Sequence, residues 1–90
     1  MIVFTVLSTG DNTVRPGPCQ IYGVELVRAA SAELKTYNHA SSATNNIFIC
    51  KTSSQKPTDR AKIPDKGYFL ANGIYATLSA GEGIIIWSPR

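Results

Sequence analysis

Ile74-Tyr75-Ala76-Thr77-Leu78 and, after the turn Gly81-Glu82-Gly83, Ile84-Ile85-Ile86-Trp87 decide the fold class of this 90-residue chain. In the first run Ile74, Ala76 and Leu78 alternate with Tyr75 and Thr77, the period-two pattern of a strand with one face on a core. The second run is short and apolar throughout, three β-branched residues and a tryptophan, and Pro89 ends it. Asn72-Gly73, just before the first run, is the strongest short-range hairpin signal in the chain and predicts that Gly67 to Leu70 pairs with Ile74 to Leu78.

The same grammar extends toward the N-terminus. Asp65-Lys66-Gly67 reads as a tight turn, and Ile47-Phe48-Ile49-Cys50 as a compact buried strand. Glu33 to Asn38 alternates, and His39 to Asn46 is a small, polar loop. Cys19 to Arg28 reads as a longer strand with Tyr22, Val24 and Leu26 on one face. Arg15-Pro16-Gly17-Pro18 is a rigid corner, because two prolines fix φ and remove two donors. Ile2 to Leu7 is a strand stopped by the turn residues Ser8 to Asn12. Seven strand candidates at roughly 8–12-residue spacing predict an all-β fold: a single small antiparallel β-sandwich or jelly-roll-like barrel spanning residues 1–90. The alternative is local: the alanines between Val24 and Leu34 favour a short helix there.

Ninety residues support one small core and not two. At 43 % apolar the chain is too apolar for a disordered tail, and its 17 % charged residues fall below the roughly 25 % of an ordinary domain. No apolar run approaches the roughly 20 residues of a membrane helix. Residues 1–15 lack the basic start and apolar block of a secretory signal, so export is not expected. Cys19 and Cys50 could bridge; in a chain without an export signal the expected state is reduced and buried.

The net charge of +3 is concentrated in sixteen residues, where Lys51, Lys56, Arg60, Lys62 and Lys66 face Asp59 and Asp65. Thr52 to Pro64, the longest polar stretch, is expected to be a long basic loop. It contains no aromatic residue for base stacking, so a solvated loop or a contact with an acidic protein surface, through Lys56, Arg60 and Lys62, is expected ahead of nucleic acid.

The two terminal strands carry more apolar residues than a sandwich needs, since each strand of a two-layer fold has one wet face. Ile2, Val3, Phe4, Val6 and Leu7 cover both faces of the first, and Ile84 to Trp87 both faces of the last. Either a loop such as Thr52 to Pro64 covers the surplus, or a second subunit does. Ile2, Phe4, Ile85 and Trp87 are the candidates for an oligomer interface, with Trp87 as the anchor.

Catalysis is not expected. His39 is the only histidine, and no nucleophile elbow, phosphate-binding loop or dinucleotide fingerprint is present. Two cysteines and one distant histidine do not make a metal site at any recognised spacing, and no cofactor is expected. The six carboxylates are scattered.

Two stretches carry a resemblance. Arg15-Pro16-Gly17-Pro18-Cys19-Gln20-Ile21-Tyr22-Gly23-Val24 resembles a Gly-Pro turn running into a Leu/Ile-Tyr/His-Gly/Ala-Val strand. The stretch from Phe69 through Asn72-Gly73-Ile74 to Thr77-Leu78-Ser79-Ala80-Gly81 is similar to a Phe-x-x-Gly-Ile/Leu-x-Val/Ala-Thr-Leu-Ser-Gly segment before an apolar last strand. Both occur, in this order, in small β-sandwich virion proteins of tailed bacteriophages, capsid cement or decoration proteins among them. The resemblance implies a non-enzymatic homotrimer made in the host cytoplasm and seated on the outer head surface, where it clamps the major capsid protein. Tyr37-Asn38-His39 departs from the family's Tyr-Asp pair, and the Thr52 to Pro64 insertion is long. Other readings are a tail or tail-fibre module recognising host-surface glycans through Tyr22, Tyr37 or Tyr75, and a small single-stranded nucleic-acid-binding barrel.

Overall fold

The computed structural model describes residues 1–28 and 30–90. It contains nine strands: β1 (Val3–Leu7), β2 (Gly10–Arg15), β3 (Cys19–Val27), β4 (Ala32–Tyr37), β5 (Asn46–Thr52), β6 (Asp59–Arg60), β7 (Tyr68–Leu70), β8 (Ile74–Leu78) and β9 (Glu82–Pro89). All seven expected strands are present. The two additions are β2, whose Gly-Asp-Asn-Thr sequence reads as a turn, and the two-residue β6 inside the basic segment. No helix forms among the described residues: β3 continues to Val27 and β4 begins at Ala32, with Ala29 outside the described residues. Arg28, just past the end of β3, has a φ of 57°, the left-handed conformation.

The strands form two antiparallel sheets. In the first, the order is β1-β9-β3-β6, and β7 also pairs with β3, ahead of β6 along the same edge. In the second, the order is β2-β8-β4-β5. The chain runs outward through β1 to β4, changing sheet at each step. It returns with β9 slotted between β1 and β3, and β8 between β2 and β4. That winding, with β6 and β7 sharing one strand position, is a jelly roll.

Asn72-Gly73 does not close a hairpin. β7 pairs with β3 in the first sheet and β8 with β2 and β4 in the second, so the dipeptide carries the chain from one sheet to the other. The reason is space. A Cβ on Gly73 would lie 2.1 Å from the carbonyl oxygen of Arg15, and its φ of 134° suits glycine alone. The crossover is thereby pressed against the Arg15 to Pro18 corner, which makes the opposite passage from β2 to β3. The expected turn at Asp65 to Gly67 does form, with the Gly67 amide donating to the Pro64 carbonyl at 2.8 Å.

Between the sheets lie Ile21, Val24 and Leu26 from β3, Leu34 from β4, Leu70 from β7, Ile74, Ala76 and Leu78 from β8, and Ile85 from β9. Cys19 and Cys50 are also here, both free and fully buried; they behave as small apolar residues. Burial pushes both thiols up to about 11.

Candidate functional site

Register decides what each face of the first sheet presents. Val3 pairs with Trp87, Thr5 with Ile85 and Leu7 with Gly83; these residues point inward. Phe4 pairs with Ile86 and Val6 with Ile84; these point outward. β1 is a sheet edge, so its outward side chains have a neighbour on one side only. Phe4 is 68 % exposed, Val6 67 % and Ile2 51 %. With the half-buried Ile84 and Ile86 they form one apolar surface on the outer face of the first sheet.

This settles where the four expected interface residues lie. Ile2 and Phe4 are on the outer surface. Ile85 is fully buried and Trp87 is 9 % exposed, so both are core residues of the protein itself. Their places on the surface belong to Ile84 and Ile86. The indole of Trp87 is held inside: its Nε1 donates to the Thr5 hydroxyl, and the Arg15 guanidinium lies 6.0 Å from the ring centroid. Four consecutive apolar residues carry no signal for which pair faces inward. Val6, Ile84 and Ile86 were legible only as surplus, without a direction.

The alternative cover, the Thr52 to Pro64 loop, meets this surface only on its β3 side, at Ile86. Asp59 and Arg60 pair with Leu26 and Glu25 of β3, so this part of the segment lies beyond β3, with β9 and β3 between it and β1. There Ala61 and Ile63 lean on the core and, with Tyr22, Gly23, Val24, Glu25, Arg60 and Ile86, bound a half-open cavity of about 290 Å³.

The basic segment is largely neutralised by its own partners. Lys51 Nζ sits 3.3 Å from Glu33, Lys56 Nζ 3.1 Å from Asp59, and Arg60 Nε 3.2 Å from Glu25. Asp59 also accepts the Lys51 backbone N–H at 2.9 Å. That bond first, and the Lys56 ammonium second, hold its carboxyl below the ordinary value. Glu33 is held low in the same way, by Lys35 and then Lys51. Among the described residues Lys62 and Lys66 form no ion pair. The three residues expected to make an electrostatic contact are thus one free lysine, Lys62, and two cations already engaged, Lys56 and Arg60.

The remaining candidates are dispersed. His39 lies in the loop between β4 and β5, where its Nδ1 accepts the backbone N–H groups of Ser41 and Ser42 at 3.1 and 3.0 Å; it organises the loop. Tyr37 and Tyr75 are buried with their ring centroids 6.2 Å apart, so neither offers a platform for a sugar. Tyr22 is half-buried, its hydroxyl 3.2 Å from the Ser88 hydroxyl. No group of three or more His, Cys, Asp or Glu side chains suited to a metal ion is found among the described residues. The chain matches no family model, no curated protein and no solved structure.

Proposed function

We propose that the chain is a non-enzymatic structural protein of a tailed-bacteriophage virion, a capsid cement or decoration protein that binds the outer head surface and stabilises it. The observation that carries this reading is the apolar outer surface of Ile2, Phe4, Val6, Ile84 and Ile86 on an open sheet edge. A surface of this kind marks association, because a monomer gains nothing by exposing it. The jelly-roll winding supports the reading, since that architecture recurs in capsid and lectin domains. So does the placement of the two stretches that carry the family resemblance. They form the Arg15 to Val24 corner and the β7–β8 crossover, which meet at Gly73.

The mechanism is linkage. A protein that binds the assembled lattice and not its free subunits stabilises the lattice by mass action. Self-association then multiplies a modest single contact, because a second contact in the same assembly is made at high effective concentration. The resemblance implies three copies per assembly. The major capsid protein is the partner, and the capsid exterior is the location.

Purified heads lacking the protein provide the test. Added protein is expected to co-sediment with them and to raise the temperature at which they open. Heads that neither bind it nor gain stability would remove the reading.

A further inference from the structure

We propose that the outer face of the first sheet is a two-fold self-association site, in which Phe4 of each copy fills the cavity beside Gly23 of the other. The pairing is independent of head binding and differs from the three copies implied by the resemblance.

The argument starts from register. Phe4 pairs with Ile86, and Ile86 pairs on its other side with Gly23. The three residues therefore form one row across β1, β9 and β3, all facing outward. Adjacent strands lie about 4.8 Å apart, which places Phe4 and Gly23 about 10 Å apart with Ile86 midway. The row is a relief: a two-thirds-exposed phenyl ring at one end, a β-branched side chain in the middle, and no side chain at the other. At the low end the cavity opens, walled by Tyr22, Ala61, Ile63 and Ile86 and closed on its far side by the Glu25–Arg60 pair. A volume of about 290 Å³ accommodates a phenyl ring, given that an apolar cavity of about 150 Å³ holds benzene.

The symmetry follows from that relief. A two-fold axis lying between two facing copies, parallel to the strands and above Ile86, moves a side chain from the β1 side of the row to the β3 side. It sets each Phe4 over the other copy's Gly23 and Ile86 against Ile86. In the adjoining row Val6 pairs with Ile84 and Ile84 with Glu25. The same rotation lays Val6 over the stem of Glu25, whose carboxylate is turned to Arg60. One contact thus forms twice, as isologous interfaces require. A stable interface takes roughly 800 Å² per partner, and the molecule extends 37 × 26 Å along its two longer axes.

The test is mass in solution as a function of concentration, by sedimentation equilibrium. The unaltered protein is expected to be a dimer. Phe4→Ala removes the knob from an exposed position and is expected to be a folded monomer. Gly23→Leu fills the cavity from its floor; the atoms nearest to a Cβ there are those of the Ile86 side chain, its Cδ1 at 3.1 Å, which must shift to admit it. If its circular dichroism shows an unfolded chain, Ala61→Leu replaces it. Each variant alone is expected to dimerise at least tenfold more weakly. An equimolar mixture of Phe4→Ala with the cavity-filled variant is expected to recover a mixed dimer, because one intact knob then meets one intact cavity. A trimer, a monomer at all concentrations, or a mixture that stays monomeric overturns the inference. A mixture that stays monomeric while the unaltered protein dimerises points to edge pairing through β1. A dimer that ignores capsids would keep this inference and remove head decoration; a trimer that binds capsids would do the reverse.

Discussion

Trp87 and Thr5 are joined by a hydrogen bond of 2.9 Å from the indole nitrogen to the hydroxyl, on the inner face of two strands at opposite ends of the chain. The bond lets the one tryptophan enter the core with its polar group satisfied. Thr5→Val should cost about 1 kcal/mol, the usual net worth of such a bond, and Trp87→Ala about 3–5 kcal/mol through the cavity it leaves. Urea unfolding measures both. Since Trp87 faces inward, Thr5→Val should leave the mass in solution unchanged; a change in mass would place the tryptophan in the interface after all.

Two glycines with positive φ should respond very differently to alanine. Gly10 has a φ of 107° and open space where a methyl group would sit, whereas Gly73 has a φ of 134° and the Arg15 carbonyl in the way. Gly10→Ala should cost about 1–3 kcal/mol of backbone strain. Gly73→Ala adds overpacking against backbone that cannot yield, and should cost at least about 2 kcal/mol more or prevent folding. Thermal unfolding of the pair decides; equal losses would mean that the crossover can move away from the corner.

Asp59 should contribute to the acid limb of stability. Its carboxyl is held below the ordinary 3.8 by the Lys51 amide and the Lys56 ammonium, so the unfolded chain takes up the proton first as pH falls. The stabilisation is complete above pH 3.8 and is lost as pH drops through the lower folded value. Asp59→Asn should flatten the acid limb without abolishing it, because Glu33 is depressed in the same direction. Denaturation midpoints between neutral pH and the acid limit would show this.

The two thiols should be silent until the protein opens. Both are raised to about 11 by burial, while the unfolded thiols titrate near 9.0. Stability is therefore full below pH 9.0 and falls as pH rises toward 11. A thiol reagent at pH 8 should label neither cysteine in the native protein and both in denaturant. Fast labelling of the native protein would show that the core breathes on the reagent's timescale.

The elements legible in sequence were those whose burial makes them alternate or run apolar, such as Ile74 to Leu78 and Cys19 to Val27. β2 was hidden because it is an edge strand with little to bury, and an edge tolerates Gly10, Asp11 and Asn12. β6 was hidden because two residues carry no period. Asn72-Gly73 misled because the dipeptide reports local backbone freedom, while the partner of β8 is chosen by packing across the molecule. The surface site was half legible. The surplus of apolar residues at both ends could be counted. Its direction could not, because β1 turns Phe4 and Val6 outward, beside the exposed Ile2, and draws Thr5 in toward Trp87.

The strand order also sets a timetable. β4 and β5 are the one pair of consecutive strands that bond to each other among the described residues; every other ladder joins distant segments. β9 fills the gap between β1 and β3, so on a ribosome the first sheet stays unfinished until the last strand has emerged. For that interval the apolar strand made first has no neighbour, and the roughly 80 residues separating the partners make closure slow. The Phe4 strand is thus a point of risk early in the protein's life, when sister chains on one message are closest, and, under the proposed self-association, a point of assembly later.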